Sequence, residues 1–263
     1  MKTESSPEGI ERKILPLEST NIDGAPVAYV VIMAAVITVL SFIPFSLILG
    51  SVGSFPLSQG VLGLVGWVLG PVAGGVASGV GTLIGIFLAP HTAGPVPVVR
   101  FLGSVFASFA AGAMVLGEKR RYWWIPLAVY AALSYGYFVG RAIILNGVNP
   151  STAIATTFIN WSALLLFVLP TRKIIAGWVH STQFHKLVLG LAFGTWMIYG
   201  ITHACQSAII YHIQNYPEEV WLTLIPIIPF ENLVRAAVGM VIGSGVITGL
   251  RAIGLVKPQN ALY

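Results

Sequence analysis

The chain has 263 residues, 56% of them hydrophobic and only 9% charged, with a mean hydropathy of +0.85. Soluble domains carry about 25% charged residues, so a water-soluble globule is excluded and a polytopic helical membrane protein is expected. The formal charge of +5 does not point to nucleic acid, because Lys and Arg sit in short clusters between apolar stretches. A single cysteine, Cys205, rules out an internal disulfide.

Residues 1–26 are polar, with Glu4, Glu8, Glu11, Glu18 and Asp23 beside Lys2, Arg12 and Lys13. They lack the apolar run of a cleavable signal peptide and read as a cytoplasmic tail. Residues 27–255 form the membrane domain, and 256–263 a short cytoplasmic C-terminal tail. Within the membrane domain eight apolar stretches can be drawn, each judged against the roughly 20 residues that cross about 30 Å of hydrocarbon.

The first stretch runs from Val27 to Leu49, with Pro44 placed to kink its far end. After a turn-rich connection at 50–56, Leu57–Leu69 has only thirteen residues, so as one of about eight spans it must be short, thin the bilayer or lie behind a re-entrant connection, and Pro71–Ala89 begins with a proline suited to a first helical turn. Residues 60–90 carry no charge, and Gly66, Gly70 and Gly74, Gly75 and Gly79, and Gly81 and Gly85 recur four apart. Such strips let another backbone approach closely, so this stretch is expected to be a tight hairpin joined at Gly70-Pro71.

The fourth stretch, Val98–Leu116, ends at Glu118-Lys119-Arg120-Arg121, followed by the interfacial aromatics Tyr122, Trp123 and Trp124. Ile125–Leu145 is the fifth and Thr152–Leu169 the sixth, with Ser151 the expected N-cap between them. Pro170–Lys186 reads as a basic connection. Leu187–Ile213 is the seventh stretch, and Trp221–Ile253 the eighth, interrupted by Pro226 and Pro229. With both termini inside, eleven of the fourteen basic residues fall on the cytoplasmic side, as the positive-inside rule requires.

Charges within such stretches cost about 2.5–3.5 kcal/mol at mid-membrane and face a bundle interior or a wet cavity by default. Arg100, Arg141, Glu231 and Arg235 are the charged candidates, joined by Asn160, His203, Gln206 and Asn232. Glu231 and Arg235 stand four apart on one helix face, with the acid first, which is the better order. Arg100 and Arg141 have no acid in their own stretches. Either they snorkel to headgroups or a bound anion balances them, a task the guanidinium fork suits. His203, Gln206 and Asn160 serve equally well as interhelical hydrogen-bonding groups.

Metal spacing, nucleophile elbows and phosphate loops are absent from the sequence, so neither a metal, a cofactor nor enzymatic turnover is expected. An intramembrane enzyme would have to rest on His203 or Glu231. Energised transport would need partner subunits.

The segments AYVVIMAAVITVLSFIPF, VLGPVAGGVASGVGTLIG and IPFENLVRAAVGMVIG resemble the first helix, the Gly-Pro-containing second and third helices, and the last helix of the substrate-binding S components of energy-coupling factor transporters. That resemblance implies a plasma-membrane receptor that binds a small vitamin-like solute from outside under the loop at 50–59. It also implies coupling to a membrane scaffold subunit and cytoplasmic ATPases. Two departures stand out: the family has six helices, so one hairpin here would be extra, and its Ala-x-x-x-Ala coupling pattern is replaced by Ala34 and Thr38. The expected reading is an all-α membrane bundle that captures a small solute, anionic if the arginines line the pocket. The alternative is a structural, assembly or lipid-handling membrane protein.

Overall fold

The computed structural model describes residues 20–45, 54–254 and 256–263. The tip of the 50–59 loop, the last residues assigned to the first stretch and most of the N-terminal tail lie outside them. Among the described residues the fold is all-α, ten α-helices with one two-stranded hairpin, β1 (Asn21–Ile22) and β2 (Ala25–Pro26).

Each apolar stretch is helical. They form α1 (Val27–Leu40), α2 (Leu62–Leu69) after a 3-10 turn at Leu57–Val61, α3 (Pro71–Leu88), α4 (Pro97–Gly112) and α5 (Trp124–Asn146). Then come α6 (Pro150–Thr156) with α7 (Phe158–Val168), α9 (Phe184–Gln214) and α10 (Glu218–Ile253). By length and apolarity α3, α9, α10 and α5 with the turn before it can each cross a membrane, and α6 with α7 makes a fifth crossing if the bent pair is one span. α1, α4 and Leu57–Leu69 are shorter.

Three local expectations change. Residues 170–186 are not a plain connection but carry α8 (Thr171–His180), whose Arg172 is buried and donates to the carbonyls of Val168 (3.1 Å) and Leu169 (3.4 Å) at the end of α7. Its guanidinium also lies 3.5 Å from the Trp124 ring centroid. The cap before α6 is Asn149, whose Oδ1 accepts from the Ser151 amide at 3.0 Å, while Pro150 takes the first helical position. Pro226 and Pro229 do not interrupt α10, which stays helical through both. They only remove two N–H donors, leaving the Leu222 and Ile225 carbonyls without their helical partners.

The bend between α6 and α7 is 64°. Thr156 and Thr157 sit at the break and turn their hydroxyls back onto the carbonyls of Thr152 (2.8 Å) and Ala153 (2.7 Å), a pattern that bends helices.

α9 is the central post: α4, α5, α7, α8 and α10 all pack on it. The glycine hairpin forms the opposite wall. α2 is buried on every side, and Gly70 turns the chain into α3 with φ +85°, a conformation that glycine adopts without steric cost. A Cβ on Gly66 would collide with the Ser108 carbonyl of α4, and one on Gly81 would come within 2.5 Å of the Ala34 carbonyl of α1. The Ser78 and Ser108 hydroxyls bond across α3 and α4, and Ser108 donates on to the Leu62 carbonyl at 2.7 Å.

Both described ends of the chain meet on one face. Asn260 donates to the Asp23 carbonyl (2.9 Å), the Leu262 amide to the Trp67 carbonyl (2.7 Å), and Arg120 pairs with Asp23 at 2.6 Å. The C-terminal segment is therefore packed against the bundle, and burial raises the Tyr263 phenol above its ordinary pKa.

Candidate functional site

Arg235 sits half-way along α10 and is 2% exposed. Its Nε donates to Gln59 Oε1 at 3.0 Å and its Nη2 to Glu231 Oε2 at 3.2 Å, one helical turn earlier. The ring of Tyr199 from α9 faces its guanidinium at 4.1 Å, with Phe45 at 5.0 Å and Phe55 at 5.9 Å. These two phenylalanines are brought together by the strand-like pairing of Phe45 N–H with the Phe55 carbonyl (2.9 Å). A buried cation thus has one carboxylate, one amide and three aromatic faces, the complement that makes burial of a guanidinium tolerable.

Beside this cluster opens a hollow with about 680 Å³ of empty space, part of it open to the surface. Tyr199, His203, Gln206, Tyr211, Glu231 and Phe55 are among its walls. Glu231 Oε1, buried, has no hydrogen-bond partner among the described residues. Asn160 Nδ2 donates to the Gly200 carbonyl and to His203 Nδ1, both at 3.0 Å. Since the carbonyl fixes which end of the amide carries hydrogen, Nδ1 is an acceptor and the neutral ring holds its proton on Nε2.

A second, deeper hollow adjoins the first, sharing Tyr199 and Gln206 as walls and adding Gln59, Thr202 and Arg100. Arg100 does not snorkel. It is 4% exposed and donates from Nη1 to the Thr92 carbonyl (2.9 Å) and from Nη2 to Ser41 Oγ (2.8 Å). Among the described residues no carboxylate lies within 4.0 Å of it. It also occupies the first turn of α4, where the positive end of the helix dipole adds to its charge and does not balance it. Arg100 and Arg235 against Glu231 leave the paired hollows with one excess positive charge.

The sequence-derived residues therefore divide. Arg100, His203, Gln206 and Glu231 line the adjoining hollows, with Arg235 directly behind and Asn160 orienting His203. Asn232 instead lies in the α9–α10 contact, fully buried, with its Nδ2 3.5 Å from the Trp196 carbonyl. Arg141 stands apart, beyond Tyr211 and Tyr216, and donates to the Tyr211 carbonyl at 3.3 Å.

Sequence reasoning did not single out Gln59, Ser41 or Thr92. Gln59 had a signal: it is the last polar side chain before an uncharged glycine-rich run, a place where a solvated loop residue needs no such context. Ser41 and Thr92 had none, since hydroxyls at helix ends are common.

Among known proteins, no family model, no curated protein and no solved structure matches the chain.

Proposed function

We propose that the protein is a plasma-membrane receptor subunit that captures a small solute bearing an acidic group. The observation that carries this reading is the pair of adjoining hollows with buried Arg100 on one side and, on the other, a Glu231 oxygen that has no partner among the described residues. The acidic group is placed toward Arg100 and Gln59. The body of the solute lies against Tyr199 and Phe55, and a donor group on it faces Glu231. His203 offers its Nε2–H to an acceptor. The helical stretches form a membrane-embedded bundle with both termini in the cytoplasm, a reading supported by the two described ends sharing one face. The likeness to S components of energy-coupling factor transporters extends the reading to uptake driven by a membrane scaffold subunit and ATPase subunits.

The test is mass spectrometry of small molecules released from protein purified out of its native membrane. An acidic compound should be recovered from the native chain and depleted at least tenfold in Arg100→Gln and Glu231→Gln, both still eluting as folded protein. Equal recovery from all three, or none from any, removes the receptor reading. A second reading, a helix-assembly or lipid-handling protein, draws on the wholly apolar groove between α3 and α4, walled by Gly75, Gly79, Phe101 and Val105. It requires a stable membrane partner and no saturable small ligand.

A further inference from the structure

One face of α9 supplies the large hollow with Tyr199, His203 and Gln206, which stand four and then three residues apart. The last two are held from outside the hollow. Gln206 Nε2 donates to the Val99 carbonyl of α4 at 3.2 Å, and Gly103 of the same helix lies against that amide, since a Cβ there would collide with Nε2. The carbonyl fixes which end of the Gln206 amide carries hydrogen, so Oε1 is its free end, an acceptor only. His203 is fixed in the opposite sense. Both of its hydrogen bonds fall on Nδ1, from Asn160 Nδ2 at 3.0 Å and with Ser207 Oγ at 3.3 Å, so the proton rests on Nε2.

His203 Nε2 and Gln206 Oε1 have no hydrogen-bond partner among the described residues, yet neither is one of the partnerless atoms shut away from the surface, as Glu231 Oε1 is. Both therefore keep accessible surface, and both residues wall the same hollow of about 680 Å³. Reversing either role would strip a hydrogen bond from a carbonyl, that of Gly200 or that of Val99. Residues three apart on a helix are neighbours, roughly 5–6 Å from each other. A committed donor and a committed acceptor thus stand side by side within one turn.

Resting on the receptor reading of this hollow, we propose that His203 and Gln206 select solutes that carry a carboxamide or lactam, with the carbonyl oxygen on His203 Nε2–H and the adjacent N–H on Gln206 Oε1. The two groups lie next to each other in an amide as their partners do on α9. A carboxylate in that place would suit His203 but set two acceptors face to face at Gln206, and an ammonium would do the reverse. A ketone or ester satisfies His203 alone and leaves Gln206 Oε1 unpaired, the kind of loss that separates analogues more sharply than a difference in size does.

The test uses the full chain in a non-ionic detergent, labelled with nitrogen-15 in its histidine side chains. The His203 signal, identified by its absence in His203→Phe, should show the proton on Nε2 and shift saturably with benzamide. Acetophenone keeps the ring and the carbonyl but has a methyl group in place of the NH2, and should bind about tenfold more weakly, the scale of one lost hydrogen bond with its acceptor left unpaired. In Gln206→Leu the two affinities should differ by less than about threefold. A proton on Nδ1, a signal that benzamide leaves unmoved, or affinities within about threefold of each other in the native chain overturns the proposal, as does a preference for benzamide that survives in Gln206→Leu. Should Gln206→Leu fail to fold, the native chain decides alone. Neither probe carries an acid, so the two readings fail separately. Recovery of an acidic compound with equal affinity for both probes sinks only the amide assignment, whereas a preference for benzamide with no acidic compound recovered sinks only the capture of an acidic solute.

Discussion

The wall made by α1 to α4 and the middle of the α9–α10 pair solve opposite problems with the same helical material. In the wall, glycines and serines bring backbones so close that Gly74 would place a Cβ 2.9 Å from the Cα of Gly66, and nothing but protein fits between. Between α9, α10 and the loop residues Phe55 and Pro95, large side chains with polar ends hold the elements apart, and the space left is lined by Glu231, His203 and Gln206. Dry contact comes from removing side chains; a chamber comes from bulky ones whose polar tips must be satisfied. The first is a rigid support, the second a place where a change of partner has large consequences.

The largest effect should come from the chamber. Arg235→Ala strands Glu231 as an uncompensated buried carboxylate and should cost about 3–5 kcal/mol, the usual loss when one member of a buried pair is removed. Thermal unfolding in detergent measures it. Arg235→Met with Glu231→Leu should recover most of the loss, since paired removal leaves no isolated charge. Equal destabilisation by the single and double changes would show that packing of Arg235 against Tyr199 and Phe45, and not its charge, dominates. The same coupling makes Arg100, which stands outside that pair, the more informative position for ligand binding.

The wall should respond next. Gly66→Val drives two methyl groups toward the Ser108 carbonyl and the Ala111 side chain, so α2 and α4 must separate. Overpacking of this kind costs about 1–3 kcal/mol, and it should also break the Ser108 to Leu62 hydrogen bond that spans the same contact. A fall in melting temperature with a broadened elution profile is the expected result. An unchanged melting temperature would mean that the two helices are not held as close as described.

The contrast between the regions also explains what could be read from the letters. Eight apolar stretches and the break at Gly70-Pro71 were legible because helix length and glycine spacing are local properties. Arg100, Glu231 and Arg235 were legible as buried charges because their cost in hydrocarbon is independent of what they touch. Their partners were not. Gln59 meets Arg235 across 176 positions, and Ser41 meets Arg100 across 59. Only the packing of α1, α4 and α10 brings them together, and no pattern within any one helix encodes it. Arg141 was grouped with the others as a charge within an apolar stretch, yet that criterion does not distinguish the two sides of the Tyr211–Tyr216 wall. The helix at 171–180 was obscured by its basic residues, which mark a cytoplasmic connection as readily as an amphipathic helix lying against the bundle.

The smallest effect is the one that isolates the glycine argument. Gly136 and Gly140 repeat the four-residue spacing of the wall on α5, but a Cβ at either would meet nothing within 4 Å. If close backbone approach is what makes glycine necessary in the wall, Gly136→Ala should be tolerated and should stabilise the chain by at most about 1 kcal/mol, the difference in helix propensity between the two residues. The comparison is made by melting temperature in detergent, where the chain is alone, and again in membranes. A gain in detergent with a loss in membranes would place another helix against α5, since only a neighbour absent from the isolated chain could then object to the methyl group. A loss in both would show that spacing alone, without a contacting backbone, makes glycine necessary, and the account of the wall given by Gly66 and Gly81 would have to change.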